Sequence, residues 1–124
     1  MSWDIVLFNS TQKIGSVEDI DEDLLFETDF DSALLENLHP IKIDGNNADV
    51  ENENYALNFF LDDAPASNKM LTLYNENALY EIVRISRAMH WQIFDTGLGE
   101  MIDLEHPENN GFENFHAYLA ALDK

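Results

Sequence analysis

One stretch decides the fold: residues 70–104 read MLTLYNENALYEIVRISRAMHWQIFDTGLGEMIDL. Its middle, from about Glu76 to His90, repeats apolar residues at intervals of three and four, which is the spacing of one face of an α-helix. Segments rich in β-forming residues lie on both sides of this helix, at 70–74, 91–95 and 100–104. A helix between strands that are joined mostly by short turns predicts an α+β fold with a largely antiparallel sheet.

The remaining segments extend this pattern over the chain. Further strands are predicted at 3–9, 41–44 and 55–61 from their β-forming residues and from the turn residues beside them. The predicted order is β-α-β-β-β-α-β-β-α. We therefore expect a single α+β domain over residues 1–124, with a sheet of about five to six strands and two to three helices packed on one side.

Two capping patterns predict where the shorter helices begin. Thr28 and Asp31 stand at capping-box spacing, which predicts a helix over Asp29–Leu38 that Pro40 ends. Asn110 and Glu113 have the same spacing and predict a last helix. That helix is expected to bury four apolar side chains, those of Phe112, Phe115, Leu119 and Leu122.

The composition excludes several classes of partner and chemistry. The chain has 124 residues, with 6 Lys and Arg against 25 Asp and Glu, and its net charge at pH 7 is −19. Nucleic acids and anionic membrane surfaces repel such a chain, so we expect neither as a partner. The sequence contains no Cys, which excludes thiol catalysis, disulfides and Cys-type zinc sites.

The apolar segments are short. The first, Ile5–Phe8, falls below the about 7–15 apolar residues of a secretory signal. No run approaches the roughly 20 apolar residues that cross a membrane. We therefore expect a cytoplasmic protein that does not bind a membrane.

The triplet Asp95-Thr96-Gly97 imitates the motif of aspartic proteases, in which two aspartates share one proton. Such an enzyme needs a second Asp and further strands after the motif, whereas the last segment of this chain has a helical pattern. We interpret the triplet as a hairpin turn in which Asp95 accepts hydrogen bonds from nearby backbone and the glycines allow a positive φ.

One carboxylate pattern has the spacing of a metal site. Asp19, Asp21 and Asp23 match the first positions of a calcium loop, but Leu24 and Phe30 stand where that loop needs Gly and Glu. Weak calcium binding by the dense carboxylates is the alternative left open. No other metal or catalytic pattern is complete, so we predict no cofactor, no metal and no catalytic residues.

The distribution of acidic residues along the chain is the most informative feature of its charge. Residues 18–31 contain eight acids and residues 44–63 contain six, and neither segment has a Lys or Arg. Like charges crowded on a small domain destabilise it, and one interpretation of their presence is a docking surface for a basic protein partner. The alternative is a solvated surface that serves only solubility.

The predicted partner-binding residues come from these segments, in stretches that we interpret as loops: Asp21, Glu22, Asp23, Asp49, Glu51 and Glu53. Charges at the rim of an interface chiefly set the association rate, whereas buried aromatic residues hold the complex together. Phe26 and Tyr55 are the nearest aromatic candidates for such anchors, and each is equally a candidate for the core.

The C-terminal half also carries a resemblance. Its quoted features are Asn77-Ala78-Leu79-Tyr80 at the start of a helix, the strand–turn–strand of Trp91–Gly97 and Met101–Leu104, and Gly111-Phe112 with Phe115 and Tyr118-Leu119. Over roughly residues 70–122 this arrangement resembles small acidic uncharacterised bacterial proteins, some of which are immunity partners of polymorphic toxins. The resemblance implies an inhibitor that covers a basic toxin such as a nuclease, and it brings no catalytic residues.

These observations predict an acidic, non-enzymatic binding protein that docks a basic protein partner, a toxin or a nuclease. Two alternatives stay open: a small carboxylate- or metal-dependent enzyme, and a homodimeric accessory or structural protein. The enzyme requires a concave pocket with converging acids and a raised carboxylate pKa. The homodimer requires an exposed apolar patch. Both a monomer and a homodimer are compatible with the sequence.

Overall fold

The computed structural model describes the backbone of residues 2–10, 13–15, 18 and 20–122, and these residues form seven strands and three α-helices. The strands are β1 (Trp3–Phe8), β2 (Ile41–Asp44), β3 (Asn47–Glu51), β4 (Ala56–Phe60), β5 (Asn68–Leu73), β6 (Gln92–Asp95) and β7 (Glu100–Met101). The helices are α1 (Phe30–Asn37), α2 (Glu76–Met89) and α3 (Phe115–Leu122), and 3₁₀ turns occur at Glu22–Leu24 and Pro107–Asn110.

The strands form one antiparallel sheet in the order β2-β3-β4-β5-β1-β6-β7. The first strand of the chain lies in the interior of the sheet, since Ile5 of β1 is paired with Leu71 on one side and with Asp95 on the other. The predicted α+β class with an antiparallel sheet is confirmed. The described sheet has one strand more than the sequence predicted, and the addition is β3.

One face of the sheet carries the core. Because side chains alternate along a strand, Ile5 and Leu7 point to the same face as their partners Leu71 and Ile93. The helices contribute Phe30, Leu34, Leu79, Ile82 and Phe115 to the same buried cluster. The helices therefore lie on one side of the sheet, as predicted.

The sequence predicts a loop where β3 lies, and this prediction is wrong. Asn, Asp and Glu are rare in strands, so the composition of Asn47–Glu51 hides the strand. Gly45, at φ 65°, closes a tight hairpin after β2, and the segment then pairs with β2 on one side and β4 on the other. Asp49 and Glu51 are consequently strand residues whose side chains point away from the core.

Helix α1 begins at a different cap from the one predicted. Asp29, and not Thr28, is the N-cap residue, and its Oδ1 accepts a hydrogen bond from the N–H of Ser32 at 3.1 Å. The Ser32 hydroxyl donates to Oδ2 at 2.7 Å. These two hydrogen bonds, that of the hydroxyl above all, lower the pKa of Asp29.

Helix α3 begins at Phe115, later than an Asn110 cap predicts. The side chain of Asn110 is held elsewhere, because its Oδ1 accepts from the N–H of Asp103 at 2.7 Å and its Nδ2 donates to the carbonyl of Met101 at 3.0 Å. Phe112 and Phe115 are buried as predicted. The side chains of Leu119 and Leu122 lie outside the described part of the structure.

The Asp95-Thr96-Gly97 triplet forms the turn between β6 and β7, as predicted, but of the two glycines expected at positive φ only Gly99, at φ 71°, has it and Gly97 does not. Asp95 is buried, and its Oδ1 accepts hydrogen bonds from the N–H groups of Gly97 at 2.8 Å and Leu98 at 3.1 Å. Thr96 Oγ1 donates to the carbonyl of Asp4 at 2.6 Å and so ties the turn to β1. The carboxylate of Asp95 therefore stabilises a turn.

A buried lysine joins α1 to the end of β4. The Nζ of Lys69 lies 2.6 Å from Asp31 Oδ1 and 2.8 Å from Asp62 Oδ2, and it also donates to the carbonyl of Phe60. A buried ammonium group is tolerated only with such partners. Moving an unpaired charge from water into the protein interior is strongly unfavourable, and the nearby carboxylates and carbonyl offset that cost. These contacts hold in place the end of β4 that carries Phe60.

Candidate functional site

The face of the sheet opposite the helices, called the open face from here on, carries a line of apolar side chains. Val6 is paired with Met70 on β5 and with Phe94 on β6, and Phe94 is paired with Met101 on β7. Phe60 lies on the same face of β4, the strand next to β5. These five residues are termed the apolar row. Phe60 and Met70 are 61% and 57% exposed, so this half of the row faces solvent.

A second line of residues, the acidic row, runs beside the apolar row on the open face. Its members are Asp49, Asn58, Thr72 and Asp4, each paired with the next across neighbouring strands. Asn58 Nδ2 donates to Asp49 Oδ1 at 2.6 Å, and Thr72 Oγ1 donates to Asp4 Oδ1 at 2.7 Å. Hydrogen bonds therefore fix the direction of both carboxylates without neutralising them.

A concavity of about 930 Å³ opens at the Asp49 end of the acidic row. Asp49, Glu51 and Glu53 line it together with Lys42 and the half-exposed ring of Tyr74. Three of the six predicted partner-binding residues thus lie together at one corner of the sheet.

The turn that carries Glu53 is built by Asn52. The Oδ1 of Asn52 accepts hydrogen bonds from the N–H groups of Asn54 at 2.8 Å and Tyr55 at 2.9 Å. Its Nδ2 donates to the carbonyl of His39 at 2.8 Å. Asn is suited to this position because its short side chain bonds backbone groups a few residues ahead. Glu53 is therefore presented by an ordered turn.

The charges divide between the two sides of the sheet. On the helix side, Lys69 is paired with two carboxylates, Arg84 lies 2.7 Å from Glu81, and Arg87 lies 2.9 Å from Glu105. Strand positions of the open face hold one cation, Lys42, and the four acids Asp4, Asp44, Asp49 and Glu51. Among the residues that the structure describes, none of these four acids forms an ion pair.

The other predicted acids lie in the 3₁₀ turn after residue 20. The Oδ1 of Asp21 accepts a hydrogen bond from the N–H of Asp23 at 3.0 Å, and the carbonyl of Asp21 accepts one from Leu24 at 2.9 Å. Asp21 and Asp23 are exposed. The side chain of Glu22 lies outside the described part of the structure.

The two groups of predicted acids lie toward opposite ends of the sheet. Leu25, just after the 3₁₀ turn, forms a bridge with Ser10 beyond the last residue of β1. Glu51 lies near the first residue of β1, because the pairing leads from Glu51 through β4 and β5 to Trp3. A strand rises about 3.3 Å per residue, so the length of β1 separates the groups by on the order of 17 Å.

The two aromatic candidates have different positions. Tyr55 is buried and belongs to the core. Phe26 is half exposed, and its backbone N–H and carbonyl both bond to Asn9 at 2.8 Å. Sequence reasoning missed Phe60, although a signal was present: Phe59 points into the core, so the side chain that follows it must point the other way.

The strongly displaced pKa values have structural causes on the helix side. Burial raises the pKa of Tyr118, and its hydrogen bond to buried Glu81, at 2.6 Å, raises it further. The hydrogen bonds between Arg84 and Glu81 raise the pKa of the guanidinium. Burial also raises the pKa of Tyr80, to about 12. These groups stabilise the packing of α2 against α3.

The metal interpretation gains little from the structure. Within residues 2–10, 13–15, 18 and 20–122, no three His, Asp or Glu side chains are arranged to hold a metal ion. Asp19, one member of the calcium-like pattern, lies outside the described residues. Glu108 contacts His106 Nδ1 at 3.2 Å and His116 Nε2 at 3.4 Å, and its pKa is lowered first by its own backbone N–H and then by these rings.

Comparison with known proteins leaves the open face as the main guide to function. No protein-family model, no curated protein and no solved structure matches this chain. The resemblance to small acidic bacterial proteins therefore stays a prediction. In the described part of the chain, no helix combines the length and the apolar character that crossing a membrane requires.

Proposed function

We propose that this chain is a non-enzymatic binding protein of the immunity or inhibitor type, which acts in the cytoplasm and docks a basic protein partner on its open face. The observation that carries the proposal is the apolar row, exposed at Phe60 and Met70, beside carboxylates that lack ion-pair partners in the described structure. The proposed binding residues are Asp49, Glu51 and Glu53, which the sequence predicts, and Asp4, Phe60 and Met70, which the structure adds.

The apolar row supplies affinity in this proposal. Fully burying a Phe or Met side chain contributes about 1.5–3 kcal/mol. Phe60 and Met70 still expose more than half of their surface, so covering both contributes about 2–4 kcal/mol. Contiguous apolar residues on the surface of a small protein are typical of interaction sites.

The carboxylates select the charge of the partner. A chain of net charge −19 attracts cationic proteins over a long range and repels anionic ones. A toxin that cleaves nucleic acid needs a cationic surface, because it must bind phosphates. An acidic protein that covers this surface excludes the substrate, which is how an inhibitor of this class acts.

The test begins with capture and ends with purified proteins. The chain and its Met70→Ser variant are immobilised and exposed to lysate of the source cell at low salt, and proteins retained by the unchanged chain alone are identified by mass spectrometry. The retained protein is then purified and titrated with each variant. We expect a basic protein whose Kd rises at least about fivefold with Met70→Ser. Met89→Ser is the matched control, because Met89 is 42% exposed at the end of α2.

Two triple variants with an equal loss of charge test the acids. They replace the acids by amides: Asp49, Glu51 and Glu53 in one, and Asp21, Glu22 and Asp23 in the other. The first variant is expected to lower the association rate and its salt dependence more than the second. Equal effects would mean that net charge alone attracts the partner. An unchanged Kd for Met70→Ser would contradict docking on the open face.

A further inference from the structure

We propose that the part of the partner seated on the open face is an amphipathic α-helix with basic residues along one flank, lying across the strands on the apolar row. This inference rests on the proposed function, since it specifies which element of the basic partner the open face receives. Two observations carry it: the spacing of the apolar row, and the position of the acidic row beside it.

The spacing of the apolar row fits a helix better than an extended segment. Neighbouring strands lie about 4.8 Å apart, so the four intervals from Phe60 on β4 to Met101 on β7 span about 19 Å. Apolar residues that alternate three and four apart on a helix rise by about 5.2 Å per interval, or about 21 Å over four. In an extended segment, side chains on the same face are about 6.7 Å apart, so four intervals span about 27 Å. Such a segment therefore does not match the spacing of the apolar row.

The acidic row decides which flank of the helix is basic. It lies two residues along the strands from the apolar row, a distance of about 6.7 Å. A helix with its side chains has a radius of about 5–6 Å, so flanking Lys or Arg side chains stand above the acidic row. Asp4 on β1 and Asp49 on β3 are three intervals apart, about 14 Å, which matches basic residues about ten positions apart on the helix.

The strand positions on the other flank of the apolar row hold no charged side chain. The open-face residues on that side are Asn68, Phe8 and Gln92, paired across β5, β1 and β6. Beyond these strand positions the same flank does carry charge, because Lys13, Asp103 and Glu105 line a concavity together with Gln92. Asp4 and Asp49 differ in lying at strand positions of the acidic row, and the basic flank is therefore assigned to them.

A second copy of this chain fits the open face less well than a basic helix. Each copy has a net charge of −19, and a two-fold contact through the open face would bring the same acidic surface of both copies together. Like charges in such a contact oppose association. A basic helix instead supplies cations to Asp4 and Asp49, which form no ion pair among the described residues.

The test uses two synthetic peptides of about 14 residues with the same Leu, Lys and Gln composition, long enough to span the row as a helix. In the helical isomer, Leu recurs every three to four residues and Lys follows one flank. In the strand isomer, Leu alternates with polar residues. Binding to the full chain is measured by fluorescence anisotropy at low and high salt, and we expect the helical isomer to bind at least about tenfold tighter.

Variants then locate the bound peptide. Met70→Ser is expected to weaken binding of the helical isomer at least about fivefold, while Met89→Ser leaves it unchanged. Phe60→Ser, with the half-exposed Phe26→Ser as control, repeats the comparison if circular dichroism shows that Met70→Ser does not fold. Asp4→Asn combined with Asp49→Asn is expected to reduce the salt dependence of binding.

Each remaining outcome overturns the inference in a distinguishable way. Equal binding of the two isomers contradicts the proposal that the bound element is an α-helix. If the strand isomer binds more tightly and Met70→Ser abolishes its binding, the bound element is not a helix. The open face would then remain the site of a basic partner. Binding that Met70→Ser leaves unchanged for both peptides contradicts the helix and the proposed function together. A dimer in sedimentation that Met70→Ser dissociates assigns the open face to a second copy.

Discussion

Replacing Lys69 by Met is expected to destabilise the chain by about 3 kcal/mol, because it leaves a largely buried carboxylate without its cation. Lys69 is 5% exposed, and its ammonium lies within 2.8 Å of Asp31 and Asp62, which are 15% and 51% exposed. Removing one partner of a buried ion pair costs about 3–5 kcal/mol. The low end applies, since Asp62 is hydrated and Asp31 keeps the hydrogen bond from the Asp62 N–H at 2.7 Å.

Equilibrium unfolding in urea measures this loss. With a slope of about 1.5–2 kcal/mol per molar urea, the expected loss lowers the midpoint by about 1.5–2 M. Met retains the volume of the lysine stem, so a cavity contributes little. The matched control is Lys42→Met, which removes the same charge from an exposed position of the same sheet and is expected to change stability by less than about 0.5 kcal/mol.

A double variant separates the charge from the packing. Adding Asp31→Asn to Lys69→Met removes the unpaired buried charge, and we expect it to restore about 1–2 kcal/mol. A Lys69→Met variant no less stable than Lys42→Met would refute the reasoning. The reasoning would also be refuted if adding Asp31→Asn to Lys69→Met lowered the free energy of unfolding further. Additive losses would mean that the two residues are energetically independent.

Two further predictions concern buried groups of α2 and α3. The pKa of Tyr80 is raised to about 12 and that of Tyr118 is raised as well, both above the ordinary value of about 10. The two protonated tyrosines therefore contribute fully to the stability of the folded state below pH about 10, and this contribution is lost as the pH rises through their folded-state pKa values. Tyr118→Phe should flatten this alkaline decline in urea titrations between pH about 10 and 12, whereas Tyr74→Phe at the half-exposed Tyr74 should not; equal declines would contradict the assignment. Ser86 is fully buried and its Oγ has no hydrogen-bond partner in the described structure, so Ser86→Ala is expected to raise the melting temperature or leave it unchanged, and a fall of several degrees would indicate a missed partner.

The elements predicted well are those whose determinants are local. Helix α2 has a sustained apolar stripe, and Asn75 caps it by accepting a hydrogen bond from the N–H of Ala78 at 2.9 Å. The turn after β6 is held by Asp95 bonding backbone two and three residues ahead. In both cases, the residues that decide the conformation lie within a few positions of it.

Strand β3 shows where local reasoning fails. Asn47–Glu51 has little intrinsic preference for a strand, and its conformation comes from ladders with β2 and β4 on either side. Only the alternation of Ala48 and Val50 with polar residues hinted at it. The consequence for the site is large, because a strand gives Asp49 and Glu51 a common direction that a loop does not.

The candidate site divides in the same way. Counting charges was enough to nominate Asp49, Glu51 and Glu53, and the structure gathers them around one concavity. The sequence could not distinguish this group from Asp21–Asp23, since both are acidic stretches without a base. Their separation depends on which end of β1 each segment approaches.

The sequence by itself determined the α+β class, the long helix and the excess of negative charge, because periodicity, capping and composition act over short distances along the chain. Only the tertiary structure decided that Val6, Met70 and Phe94 lie in one apolar row on the open face, and that Asp4 and Asp49 stand in a second row beside it. The physical reason is that β1 pairs with strands from the middle and the end of the chain. The faces of those strands align only when their register is fixed by the core on the other side.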